Sequence, residues 1–146
     1  MELIINPNRS HNQSIAERKR DNNVVREMMQ IVLTNMGVLG EDPMSRSRKR
    51  SLADARKIVM TYLRFNRNWT YQRIADSWAP AFDHTSVMSA VNAFQDTLAY
   101  MREAQRTWEE VGQQLEDVGI RIDNMEGIFY QNTDEPRAMR INILQR

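Results

Sequence analysis

Cysteine is absent from this chain of 146 residues. Disulfides, thiol catalysis and Cys-ligated zinc or iron–sulfur sites are thereby excluded. No apolar run approaches the length of about 18 residues that marks a membrane span. The start, MELIINPNRS, has no basic region followed by a long apolar stretch. The sequence therefore predicts no membrane partner and no classical secretion, and a cytoplasmic protein is expected. Glycine (5) and proline (4) are scarce, so few residues interrupt a helix. No spacing suggests a Ser/His/Asp triad or a carboxylate dyad, and two histidines, His11 and His84, are too few for a metal centre. Neither catalysis, a cofactor nor a bound metal is expected.

What is present is charge, unevenly placed. Between Met44 and Arg73 stand Arg46, Arg48, Lys49, Arg50, Arg56, Lys57, Arg64, Arg67 and Arg73 against Asp54 alone, a net of +8. Between Asp96 and Glu135 ten acids stand against Arg102, Arg106 and Arg121, a net of −7. Such a division suits one surface for a polyanion and another that avoids it.

The periodicity is helical for most of the chain. Val25, Met28, Val32 and Met36 recur at three- and four-residue steps, which predicts a helix over 13–36 that Gly37, Gly40 and Pro43 end. The polar stretch before Asp21 reads as its frayed start. Ser51 and Asp54 form a capping-box pair, predicting a second helix from Ser51 to about Asn66 with Leu52, Ala55, Ile58, Val59, Tyr62 and Leu63 inside. Thr70 then caps a two-turn helix carrying Ile74, Ala75 and Trp78, and Pro80 lies in the turn that follows. Asp83 caps the next helix. Its seam, Val87, Val91, Phe94, Leu98, Met101, Gln105, Trp108 and Leu115, predicts one long helix over 84–117. So long a seam needs a cover, either the first helix or a second copy, the homodimer being preferred. After Gly119 the pattern turns to alternation. Ile120 with Ile122, the run 128–130 and Met139, Ile141 and Ile143 predict a small hairpin, with Leu3–Ile5 as a candidate third strand. The fold class is thus mainly α with a possible β appendage from the termini.

Residues 70–91 read as a short helix, a turn and a second helix opening with Asp83-His84-Thr85-Ser86. A helix-turn-helix sets the first residues of its second helix against base edges in the major groove. Short polar side chains suit that place: Asp accepts from the cytosine amino group, Thr and Ser serve either role, and a threonine methyl packs on thymine. Trp69, Trp78 and Trp108 read as core residues and not as base-stacking platforms, and the ten methionines as core filling.

The order Arg48-Lys49-Arg50-Ser51-Leu52, Ala55-Arg56, Ile74-Ala75, Trp78 and Asp83-His84-Thr85-Ser86-Val87-Met88-Ser89-Ala90 resembles the C-terminal DNA-binding domain of the bacterial replication initiator DnaA. The family's signature is D-H-T-T-V with a downstream alanine, and Asp83–Val87 carries serine for the second threonine. The resemblance covers roughly Asn22 to Gly112 and excludes the ATPase core, since no Gly-x-x-x-x-Gly-Lys phosphate loop occurs. It implies a domain over 22–112, an N-terminal extension over 1–21 and an acidic C-terminal extension over 113–146. It implies double-stranded DNA as the partner, with Asp83, His84, Thr85 and Ser86 reading bases and Arg48 entering the minor groove. Arg46, Lys49, Arg50, Arg56, Lys57, Arg64 and Thr70 are the implied backbone contacts. Two stretches depart from the family: the apolar turn Trp78-Ala79-Pro80-Ala81-Phe82, where glycines are usual, and Tyr71-Gln72, where Leu-Pro is usual. The expected role is replication initiation, its regulation or transcription control, in a phage or mobile element. Two alternatives stand beside it: a phage packaging or structural oligomer on DNA, and a protein-interaction module built on the long acidic helix.

Overall fold

In the computed structural model the described residues are 14–129, and they form five helices with no strand among them. These are α1 (Ile15–Asn35), α2 (Arg50–Asn66), α3 (Tyr71–Asp76), α4 (His84–Tyr100) and α5 (Arg102–Phe129). The mainly α reading of the sequence is met. None of the helices is long and apolar enough to cross a membrane.

The start of α1 is firm where fraying was expected. The Ser14 hydroxyl accepts from the Glu17 N–H at 3.1 Å, and the Glu17 carboxylate accepts from the Ser14 N–H at 2.9 Å. This reciprocal capping box satisfies amides that would otherwise be left without partners at the helix end. Gly37 (φ 78°) ends α1 as the sequence suggests, in a conformation that costs glycine little.

The start of α2 corrects the Ser51 assignment. Lys49 occupies the cap position and Arg50 opens the helix, with no side-chain cap. The preceding loop is ordered by other means: the Ser47 hydroxyl accepts from the Lys49 N–H at 3.1 Å, and Arg56 grips the loop from within α2. Asp54, expected in a capping box, instead lies 3.8 Å from Arg50. The short α3 begins as predicted, the Thr70 hydroxyl accepting from the Arg73 N–H at 3.0 Å.

The seam beyond α4 is corrected twice. The single helix over 84–117 is interrupted at Met101, which is extended (φ −112°, ψ 115°). The interruption lets α5 turn back, so that Val111, Leu115 and Val118 join the same buried core as Val25, Met28, Met29 and Val32 of α1. The cover for the seam is therefore α1 of the same chain, and the reason for preferring a dimer along it falls away. The second correction is that α5 does not end at Asp117 but runs to Phe129. Ile120, Ile122 and Ile128 are thus helical, not β. The rest of the suggested hairpin, including Met139–Ile143 and Leu3–Ile5, lies outside the described residues.

Gly119 explains why the sequence misled. It is not a helix stop but a close approach: a Cβ there would stand 2.6 Å from Arg67 Nη1 and 3.0 Å from the Tyr62 hydroxyl. Beneath it, the Tyr62 hydroxyl donates to Glu116 Oε1 at 2.5 Å, and Arg67 Nη2 donates to Glu116 Oε2 at 3.3 Å. Arg67 and Glu116 are each 3% exposed. A buried charge is tolerable only when paired and hydrogen-bonded, and here the pair ties α5 to the end of α2.

Candidate nucleic-acid interface

The helix-turn-helix consists of α3, the turn 77–83 and α4. Its angle is set from inside. Ile74 and Ala75 of α3 and Val87 and Val91 of α4 are buried together, and α4 packs most extensively on α2. Trp78 closes the turn, 1% exposed, with the Phe82 ring edge-on at 5.5 Å. The apolar turn that departs from the glycine-bearing pattern thus contributes its own core.

The helix α1 fixes α3 from outside. Asp21, buried at 1% exposure, accepts from Arg73 Nε at 2.9 Å and from Arg73 Nη2 at 3.1 Å. The same guanidinium lies 3.9 Å from the Trp69 ring centroid, and Asn22 Nδ2 donates to the Ser77 carbonyl at 2.9 Å. A bidentate pair of this kind defines orientation as well as distance. Nothing in the local pattern around Asp21 announces it, because its partner is 52 residues away.

At the start of α4, Asp83, His84, Thr85 and Ser86 are all exposed. Asp83 occupies the cap position, yet its carboxylate makes no capping bond to the helix backbone. It accepts from the Thr85 hydroxyl instead, and its other oxygen lies 3.6 Å from His84 Nδ1. Asp83, His84 and Thr85 therefore form one polar cluster at a helix N-terminus, free of the core, with Ser86 exposed next to them in sequence.

The basic loop lies against the turn that leads into this cluster. Arg46 Nη1 donates to the Pro80 carbonyl at 2.6 Å, and its guanidinium sits 3.8 Å from the Phe82 ring centroid. A cation over an aromatic face is an attraction of about 0.5–1 kcal/mol at an exposed site, here added to a hydrogen bond across 34 residues. Arg56 holds the other side of the loop, donating to the Ser45 carbonyl at 2.9 Å and the Ser47 carbonyl at 2.8 Å. Burial, and secondly the nearby Arg46 charge, lowers its pKa from the ordinary guanidinium value, although arginine stays charged under any physiological condition.

The basic block separates into two groups. Arg67 and Arg73 are spent on the buried acids Glu116 and Asp21, and Arg56 is spent on loop carbonyls. Arg46, Arg48, Lys49 and Arg50 are exposed, and Lys57 is half-buried. The Arg48 side chain has no ionic or hydrogen-bonding partner among the described residues. Lys49 pairs with Glu41 at 2.5 Å and Arg50 with Asp54, but such surface pairs contribute little and can be exchanged. Arg64 and Thr70 lie apart from this cluster. Arg64, about 20 Å along α2 from Arg50 at the helical rise of 1.5 Å per residue, donates to the Trp69 carbonyl at 3.2 Å and covers the Tyr71 ring. Phe82 and Asp21 are the residues that sequence reasoning missed: the first for want of a pattern in the turn, the second because its partner is distant.

Residues 25–93 match the family described as the bacterial dnaA protein helix-turn-helix. No curated protein and no solved structure gives a significant match.

Proposed function

Because residues 25–93 match the family described as the bacterial dnaA protein helix-turn-helix, we propose a specific mode of duplex DNA recognition for this chain. The N-terminus of α4 enters the major groove, and Asp83, His84, Thr85 and Ser86 read base edges there. Arg48 enters the adjacent minor groove, where the pattern distinguishes A·T from G·C pairs. Arg46, Lys49, Arg50 and Lys57 neutralise phosphates around it, and Arg64 and Thr70 contact the backbone at the far end of the motif. Residues 22–112 act as the DNA-binding unit and α5 beyond them as its brace.

The observation that carries this reading is the docking of Arg46 on Pro80 and Phe82. It binds the loop that bears Arg48 to the turn that leads into Asp83, so both sets of readers are offered as one surface. Arg56, held to the Ser45 and Ser47 carbonyls, acts here through the loop's shape more than as a phosphate ligand. Regulation of replication or of transcription, in a phage or mobile element, is the setting such a domain suits.

The test is a selection of bound sequences from a random duplex library. A single enriched motif is expected, with a major-groove half and a flanking A·T preference that disappears for Arg48→Ala. Affinity on the selected site should fall steeply as salt rises, because phosphate contacts release counterions. Absence of any enriched motif would refute sequence reading, and salt-independent binding would refute the phosphate contacts.

A further inference from the structure

A single residue separates α4 from α5. The Met101 N–H donates to the Thr97 carbonyl at 2.8 Å, as in a helix that continues, and its carbonyl accepts from the Gln105 N–H at 3.1 Å, as in a helix that begins. Nothing local demands the break. The stretch Leu98-Ala99-Tyr100-Met101-Arg102-Glu103-Ala104-Gln105 has neither glycine nor proline, and all but tyrosine are strong helix formers. The seam ignores it too: residues 87, 91, 94, 98, 101, 105 and 108 keep their four- and three-residue steps straight through. Two independent helices need no common phase, whereas one helix does. Tyr100 is 86% exposed and Met101 half-exposed. Between Phe65, Leu98 and Trp108 the bend leaves a groove of about 590 Å³, with the Phe94 and Trp108 rings meeting at 5.7 Å as a ring contact between the two helices.

We propose that Tyr100–Arg102 is a hinge, and that the surface of α1 and α2 covered by α5 is also the docking surface for α5 of a second copy. With Met101 helical, the Arg102, Glu103 and Ala104 N–H groups gain the Leu98, Ala99 and Tyr100 carbonyls. The Leu98 carbonyl is satisfied in the bent form by Gln105 Nε2 at 2.7 Å. The joined helix over 84–129 is about 70 Å long at 1.5 Å per residue, and it carries α5 away from its own α1. Val111, Leu115 and Val118 would then be wet, and Arg67 would lose Glu116 inside the core. Neither is tolerable in a lone chain. The α5 of a second copy restores each of those contacts, because the surfaces are the same ones and only the hinge differs. Glu116 and Gly119 make the occupant specific: a helix without a carboxylate and a glycine at that spacing does not fit Arg67 and Tyr62. The exchanged dimer carries two helix-turn-helix motifs on one particle.

The test replaces Arg102 by proline. Proline is accepted at the first position of a helix, and it favours an extended preceding residue, which Met101 already is. In a continuous helix it removes a hydrogen bond and clashes with the carbonyl four residues back. The full chain is unfolded in urea, refolded at micromolar and at millimolar concentration, diluted, and sedimented. Wild type should yield a dimer only from concentrated refolding, and that dimer should persist after dilution. Arg102→Pro should stay monomeric with unchanged helical circular dichroism, and Met101→Gly, which puts a poor helix former at the joint of the continuous helix, should lower the dimer share several-fold. The proposal is overturned by a wild type that is monomeric throughout, by Arg102→Pro dimerising as wild type does, or by a dimer that dissolves at once on dilution. Should Arg102→Pro lose its helical signal, Met101→Gly decides, and an undiminished dimer share overturns the proposal.

Discussion

Replacing Gly119 by alanine should destabilise the fold, although the same change inside a helix ordinarily stabilises it by about 1 kcal/mol. The added Cβ would stand 2.6 Å from Arg67 Nη1, 3.0 Å from the Tyr62 hydroxyl and 3.1 Å from Arg67 Cζ. Arg67 has nowhere to retreat. Its Nη2 is held by Glu116, its Nε donates to the Asn66 carbonyl at 3.0 Å, and its side chain is 3% exposed. Overpacking a filled core costs about 1–3 kcal/mol. Any shift that separates Arg67 from Glu116 adds to that, since breaking a buried ion pair costs about 3–5 kcal/mol. After crediting the helix propensity, a net loss of about 1–3 kcal/mol is expected. Urea unfolding followed by circular dichroism, extrapolated linearly to water, measures it. A variant as stable as wild type, or more so, would refute the close approach and with it the continuation of α5 past Asp117.

The other expectations concern the binding surface and its supports. Asp21→Ala should cost about 3 kcal/mol of stability, because Arg73 loses a buried bidentate partner. Since that pair orients α3, DNA affinity should fall even where the protein remains folded; binding equal to wild type in the folded protein would separate α1 from the motif. Arg48→Ala should lower affinity for a selected duplex by about 1–3 kcal/mol with unchanged circular dichroism, and an unchanged dissociation constant would remove Arg48 from the interface. Phe82→Ala should weaken binding without removing any charge, by freeing Arg46 and its loop, and titration of a labelled duplex should register the loss.

Much of the helix-turn-helix is legible in the sequence because its signals are local. Thr70 caps where it stands, Ile74 and Ala75 repeat at helical spacing, and Val87 and Val91 mark the buried side of α4. The Asp83–Val87 signature needs only adjacent residues. What is not legible depends on partners far along the chain. Arg67 and Arg73 look like surface charge until Glu116 and Asp21 are set beside them, so the net of +8 overstates the exposed basic face. The interruption at Met101 has no local cause and follows from burying α5 on α1. Gly119 reads as a stop because a close approach and a helix end use the same residue. The Ser14–Glu17 capping box is also local, but the polar run Arg18-Lys19-Arg20 that follows it reads as a frayed helix start.

Base reading at the start of α4 is tested most directly by the ratio of selected-site to random-duplex affinity for wild type, Asp83→Asn and Thr85→Ala at one fixed salt concentration. Asp83 is exposed and its carboxylate makes no capping bond, so Asp83→Asn leaves the fold alone while exchanging an acceptor for a group that can donate. Thr85→Ala removes the hydroxyl and methyl at the centre of the exposed cluster. Random-duplex binding rests on phosphates and the arginines remain, so it should be nearly constant across the three proteins. The ratio should drop about fivefold or more for Thr85→Ala, corresponding to about 1–3 kcal/mol of lost discrimination, and Asp83→Asn should change the base preferred at one position. Equal ratios and an unchanged preference in all three proteins would contradict recognition through Asp83, His84, Thr85 and Ser86.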